Sequence, residues 1–382
     1  MMPRRMSAPG SAVLAALALA SAPGAAFTVE DWLAHEVPAA EPEIAYDGEA
    51  VTLTFSSPNP DASLVPEVWG RGFDWLTEAT DGALEVEEFH GGTLHGAQDG
   101  WRAVRNQVTD WATCYTSYEA SGFPLHKMFE MPFVTPSDPV VATRIAQLLA
   151  PDYFAPEWEG RGVLYGYTVI AGVSDIMSTT PIRTPDDLQG LRVIAQGFPP
   201  EAAEALGMVT LNIPFPEIYS ALQQGLADAV IWVDPGFVPF KIYELTQYHT
   251  TLGLTAQHID TCINPDSYAG LPEPLKPVFA EFQQRIAHAV SQRIGVEFRE
   301  QARQIYEENG VEMISLTEEE REAWRDALAP VVDARVAELV EQGIPADQLL
   351  ADIRRLEEDY AGATPEQVFE RTVEEPAPIL PQ

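Results

Sequence analysis

From residue 51 to residue 117 the chain switches repeatedly between apolar/polar alternation and apolar residues at helical spacing. Val51 to Phe55 alternates as a strand, and Pro66 to Leu76 puts Trp69, Phe73 and Leu76 on one side of a helix. Thr80-Asp81-Gly82 turns the chain into a second strand, Ala83 to Phe89. A loop with Gly91, Gly92 and Gly96 leads into a helix from Trp101 to Val108, and Trp111 to Ser117 reads as a third strand. The alternation of strand and helix predicts α/β architecture, a mostly parallel sheet covered by helices.

The pattern resumes after Pro181. Thr184-Pro185-Asp186-Asp187 is a turn and the start of a short helix that Gly190 ends, and Leu191 to Ala195 is a buried strand running into Gln196-Gly197-Phe198-Pro199-Pro200. A helix from Glu201 to Leu206 follows, opened by proline and closed by Gly207. Pro216 opens another, with Glu217 in its first turn, Ile218, Ala221 and Leu222 on one face, and Gly225 at its end. The strand Ala229 to Val233 then finishes at Trp232, Asp234 and Pro235. Ligands of open α/β sheets bind outside the carboxyl ends of strands, so Gln196 to Phe198 and Trp232 to Asp234 are expected to face one crevice. Further on, Thr317-Glu318-Glu319-Glu320 is a capping box for a helix that runs through Val340, and Pro345 to Gln382 reads as a partly disordered terminal appendage.

Length and charge narrow the class. Arg4 and Arg5, an apolar run from Ala12 to Ala20 and small residues through Ala26 have the build of a secretory signal peptide over residues 1–26, which places the product in the periplasm. The apolar run falls short of the ~20 residues a membrane span needs. About 355 of the 382 residues remain, enough for two domains. With 58 acidic against 22 basic residues, nucleic acid and anionic membrane surfaces are poor partners, and the excess suits a saline habitat.

The stretches PIRTPDDLQGLRVIAQG and NIPFPEIYSALQQGLADAVIWVDP resemble the solute-binding proteins of tripartite ATP-independent periplasmic (TRAP) transporters, the dicarboxylate-receptor family. Pro181, Ile182, Asp187, Leu188, Gly190, Leu191, Pro214, Phe215, Glu217, Tyr219, Ala221, Leu222, Gln223, Gly225 and Asp228 fall in register with that family's pattern. Weaker agreement extends the resemblance over roughly Val51 to Gly343. It implies a two-domain periplasmic-binding-protein fold of the Venus-flytrap type, with the chain crossing between domains near Gly172, His258 and Phe298. Domain I would then be 27–171 plus 258–298, domain II 172–257 plus 299–344, and the appendage 345–382. It also implies a monomeric receptor that closes about a hinge, hands its solute to the membrane subunits, and needs no cofactor. On that topology Cys114 and Cys262 both lie in the first domain's sheet, either bridged or separately buried. Lys241, Tyr243 and Glu244 belong to the matching scaffold.

The candidate site departs from the family at its key positions. Ile194 stands where the family carries the arginine that grips the ligand carboxylate, Trp232 where it has an asparagine, and Ser174 where its sugar-acid receptors have a second arginine. Phe215 matches a pocket aromatic, and Gln98, Tyr115, Tyr118, Asp175, Phe198 and Asp234 complete the expected lining. Trp232 supplies a π face suited to an organic cation, or is simply a core tryptophan; the tyrosines and carboxylates have packing and solvated alternatives. A cleft without arginine, with carboxylates nearby, points to a small amine-bearing or neutral solute. The alternative is a carboxylate held by a displaced Arg192, two residues before Ile194 on the same strand face. An enzyme is a distant alternative. The histidines His35, His90, His95, His126, His249, His258 and His288 show no zinc-helix spacing, and no nucleophile elbow or phosphate loop is present.

Overall fold

A computed structural model describes residues 27–34, 36, 46–119, 121–195, 198–214 and 217–381. The expected leader, Gln196, Gly197 and Phe215 lie outside the described residues. In chain order the strands are β1 (Val51–Ser56), β2 (Leu84–Phe89), β3 (Trp111–Thr113), β4 (Leu164–Val173), β5 (Asp175–Ser178), β6 (Arg192–Ile194), β7 (Val209–Leu211), β8 (Ala229–Trp232), β9 (Tyr248–Thr251), β10 (Ala256–Ile263) and β11 (Glu312–Ser315). They form two sheets, ordered β2-β1-β3-β10-β4 and β11-β9-β5-β8-β6-β7.

Both sheets are mixed where sequence alternation led us to expect mostly parallel ones. β1 pairs parallel with β2 and β3, and β6 with β7 and β8, as strand–helix–strand units require. The antiparallel members are β5 and β10, the strands by which the chain enters one sheet from the other or returns. β4 passes into β5 through Ser174 alone, and β9 reaches β10 through 252–255. The two crossings are tied together: the Ser174 N–H donates to the Thr255 carbonyl at 2.7 Å and the Leu254 N–H to the Ser174 carbonyl at 2.8 Å. Gly253 sits at φ +68° in the second crossing, a left-handed turn that favours glycine. The helical run Lys276–Glu308 extends from the first sheet's lobe to helix-to-strand contacts in the second.

The first lobe's core is aromatic. The helix Leu64–Ala79 buries Val65, Val68, Trp69, Phe73 and Leu76, and the ring of Phe55 on β1 packs 4.9 Å from Trp69 and 4.5 Å from Trp111. Each such ring contributes about 2–3 kcal/mol by leaving water. Cys114 and Cys262 are joined in a disulfide that ties the end of β3 to β10, 148 residues apart in sequence. In the second lobe, alternation along β6 puts Val193 into the apolar cluster on one face of the sheet and Ile194 into that on the other.

The carboxyl-terminal stretch corrects the expectation of partial disorder. It forms the helices Ala346–Asp359 and Pro365–Glu374, whose Leu349, Ile353, Leu356, Val368 and Phe369 join the first lobe's core. Buried Arg144 fixes it by donating to the Tyr360 hydroxyl at 3.2 Å and the Glu375 carbonyl at 2.6 Å. Thr317 and Glu320 form the expected capping box of the helix Glu318–Glu341. Among the described residues no helix is long and apolar enough to cross a membrane.

Candidate functional site

A cleft of about 650 Å³ lies between the lobes at the front of the crossings. The first lobe supplies Gln98, from the loop before the helix Gly100–Arg105, with Ser117 and the half-exposed Tyr118 from the 3₁₀ turn after β3. The second supplies Phe198, Thr210, Asn212 and Trp232, from the carboxyl ends of β6, β7 and β8 or just beyond. Ser174 and Thr255 come from the crossings themselves, and Gln257 and His258 from the start of β10.

Four expected residues line this cleft: Gln98, Tyr118, Phe198 and Trp232. The Trp232 indole lies 5.6 Å from the Phe240 ring and directly over Gly236, where a Cβ would meet the indole at 2.3 Å. Glycine at 236 therefore lets the helix Asp234–Phe237 start close beneath the ring. Tyr115 stands one step back: its hydroxyl donates to Asn59 at 2.9 Å and its ring meets Tyr118 edge-on at 5.8 Å.

Ile194, Asp175 and Asp234 are placed elsewhere. Ile194 is in the sheet core, and the next residue, Ala195, reaches the cleft instead. Asp175 is fully buried at the start of β5, accepting from the backbone N–H groups of Leu252 at 2.8 Å and Gly253 at 2.9 Å and from Arg299 at 2.7 Å. Asp234 accepts from the Tyr306 hydroxyl at 2.9 Å, whose proton is held on by burial and by that carboxylate. Both acids are consumed in fastening the root of the cleft. Arg192 does not turn inward: Nε and Nη2 both donate to Asp228, at 2.9 and 2.7 Å. This pair holds the Asp228 carboxyl below its usual range.

Several lining residues were missed in the sequence, among them Ser117, Asn212 and the two that carry formal charge, Glu130 and His258. His258 Nδ1 lies 3.0 Å from Asp260 and Nε2 3.2 Å from Glu130. Burial alone would lower this imidazole's pKa, but Asp260 and Glu130 outweigh it and raise it to about 10, so the ring is charged at neutral pH. A register shift between Gln257 and His258 lets consecutive residues both face the cleft. Asp260 also accepts from Thr116 and Thr168 and pairs with buried His126 at 2.8 Å. The available signal was the His-x-Asp spacing on one strand, which puts both groups on one side.

Among the described residues, two buried trios bring three ligating atoms within 4.8 Å: His126, His258 and Asp260, and Asp175, Asp234 and His249. In the first the carboxylate is already saturated by hydrogen bonds, and in the second Arg299 supplies the cation. Neither set is open in the way a metal requires.

Two lobes, paired crossings and a polar cleft fed from both sides define a two-lobed receptor for a small solute. The chain belongs to the DctP family of bacterial extracellular solute-binding proteins, family 7, whose model matches residues 73–339. This is the family of TRAP solute receptors, periplasmic proteins that work with membrane subunits, and the chain is such a receptor. It is 26% identical over 274 residues to the C4-dicarboxylate-binding periplasmic protein DctP of Rhodobacter capsulatus, covering 69% of this chain and 81% of that one. It is 24% identical over 291 residues to the ectoine/5-hydroxyectoine-binding periplasmic protein UehA of Ruegeria pomeroyi, covering 72% and 81%. Its fold resembles an open TRAP solute-binding protein of Desulfovibrio salexigens, with TM-score 0.75, 22% identity, and coverage of 82% and 98%.

Proposed function

We propose that the receptor captures a small amine-bearing or net-neutral polar solute rather than a dicarboxylate. The observation that carries this is the charge of the cleft: among the described lining residues there is no arginine or lysine, and the formal charges are those of Glu130 and His258. Both ring nitrogens of His258 are committed to carboxylates, so its charge offers an incoming anion no free N–H. A dicarboxylate buried there without a matching cation costs several kcal/mol. An ammonium group has the Trp232 face and Glu130, while Gln98, Ser117, Tyr118 and Asn212 offer neutral hydrogen-bonding groups to the rest of the solute. The name of the relative UehA records a solute of similar charge character, an ectoine.

Contacts from both lobes stabilise a closed form by differential affinity, and the closed form is what the membrane subunits receive. Thermal-shift screening of amino alcohols, ectoine, neutral polyols and succinate tests the reading. A ligand at 100 times its Kd adds about 2.7 kcal/mol. The expected outcome is a midpoint raised by amines or net-neutral solutes well beyond any shift with succinate; stabilisation by dicarboxylic acids alone contradicts the proposal.

A further inference from the structure

Behind the crossings lies a second hollow, of about 560 Å³. Val173 lines it while the next residue, Ser174, lines the cleft; Leu252 and Gly253 line it while Thr255 and Ala256 line the cleft. Val173 and Ser174 face opposite ways as successive residues of extended chain do, so the crossing ribbon is the wall between the two spaces. The hollow is walled by both lobes, with Ser137 and Pro139 from the start of the helix Pro139–Leu149 opposite two helices of the second lobe.

Those two helices bring four arginines to the hollow. Arg299 and Arg303 stand one turn apart on Phe298–Glu308, and Arg321 and Arg325 one turn apart on Glu318–Glu341. In a chain with 22 basic and 58 acidic residues this local sign reversal needs a reason. Two of the guanidiniums are matched: Arg299 donates to Asp175 at 2.7 Å and Arg325 to Glu318 at 2.7 Å. Arg321 reaches the Thr251 carbonyl at 3.4 Å, and among the described residues neither it nor Arg303 has a carboxylate partner. Of the two acids at the wall, Asp138 already caps its helix by accepting from Val140 and Val141, which leaves Glu300.

We propose that this hollow behind the hinge binds a small multivalent oxyanion, a polycarboxylate or a phosphate, chiefly through Arg303 and Arg321. Guanidinium forks match the paired oxygens of either group, and an anion between the two helices relieves the repulsion of the cations around it. A volume of about 560 Å³ accommodates a citrate-sized molecule. Arg299 connects the site to the receptor's working parts, because it lines the hollow while holding Asp175 at the root of the cleft. The site differs from the cleft in charge and in position, so its existence does not depend on the identity of the transported solute.

The test is calorimetric titration of citrate, and separately of inorganic phosphate, into the mature chain and into R303Q/R321Q, at one ionic strength set with chloride. Arg303 is exposed and Arg321 half-buried, so the double variant keeps the wild-type fold and its affinity for the cleft solute. One-to-one binding of either anion, weakened roughly tenfold or more in R303Q/R321Q and only partly restored in R303K/R321K, which keeps the charge without the fork, supports the site and tells polycarboxylate from phosphate. Absence of binding by both anions, or equal binding to wild type and R303Q/R321Q, overturns it.

Discussion

Trp232 and His258 both line the cleft, one with an aromatic face and the other with a charged ring. With an organic cation worth about 0.5–2 kcal/mol on an aromatic face, Trp232→Ala is expected to weaken solute binding roughly tenfold or more once lost contact area is added. Calorimetry checks this, and an unchanged Kd would return the ring to a purely packing role. His258 makes a pH prediction. Its folded pKa is raised from 6.5 to about 10, so its contribution to stability is fully present below 6.5 and is lost as pH rises through about 10. Unfolding free energy is therefore expected to fall between those limits, at up to about 1.4 kcal/mol per pH unit from this group, and His258→Gln to flatten that slope in denaturant titrations. That Ile194 stands on a buried strand was legible in the sequence, but the fate of Arg192 was not. Strand alternation tells which face a side chain takes; it cannot reveal that Asp228, 36 residues on, waits beside it.

At the scale of elements, the patterns that could be read locally gave the right objects. The helix carrying Trp69 and Phe73, the strands at Val51 and Ala229, and the Thr317–Glu320 box are in place because period and cap are properties of the segment itself. Directions of β5 and β10 were illegible, since antiparallel pairing comes from the chain's return between sheets and not from any residue pattern. The terminal segment was misjudged because its Glu/Pro-rich end outweighed the apolar spacing of Leu349, Ile353 and Leu356, which has meaning only against the core it covers. Composition left the cysteine pairing open. Closing a 148-residue loop stabilises by at most about 5 kcal/mol on chain-entropy grounds. C114S/C262S is expected to lower the midpoint in thermal unfolding by several degrees, and an unchanged midpoint would mean the two ends are held equally well without the bond.

For the molecule as a whole, the crossings both join the lobes and form the floor of the cleft. Ser174, Thr255 and His258 line the cleft while Asp175, Leu252 and Gly253 are fastened to one another and to Arg299 immediately behind, so cleft and inter-lobe connection share one stretch of backbone. The acidic surface is a property of the solvated exterior and leaves the site's selectivity to a few interior groups. The most direct test is a crystal structure of the receptor with its natural solute bound. An amine or net-neutral solute within about 6 Å of the Trp232 ring, with Arg192 still paired to Asp228, is the expected result. Arg192 released from Asp228 and clasping a ligand carboxylate in the cleft would contradict it.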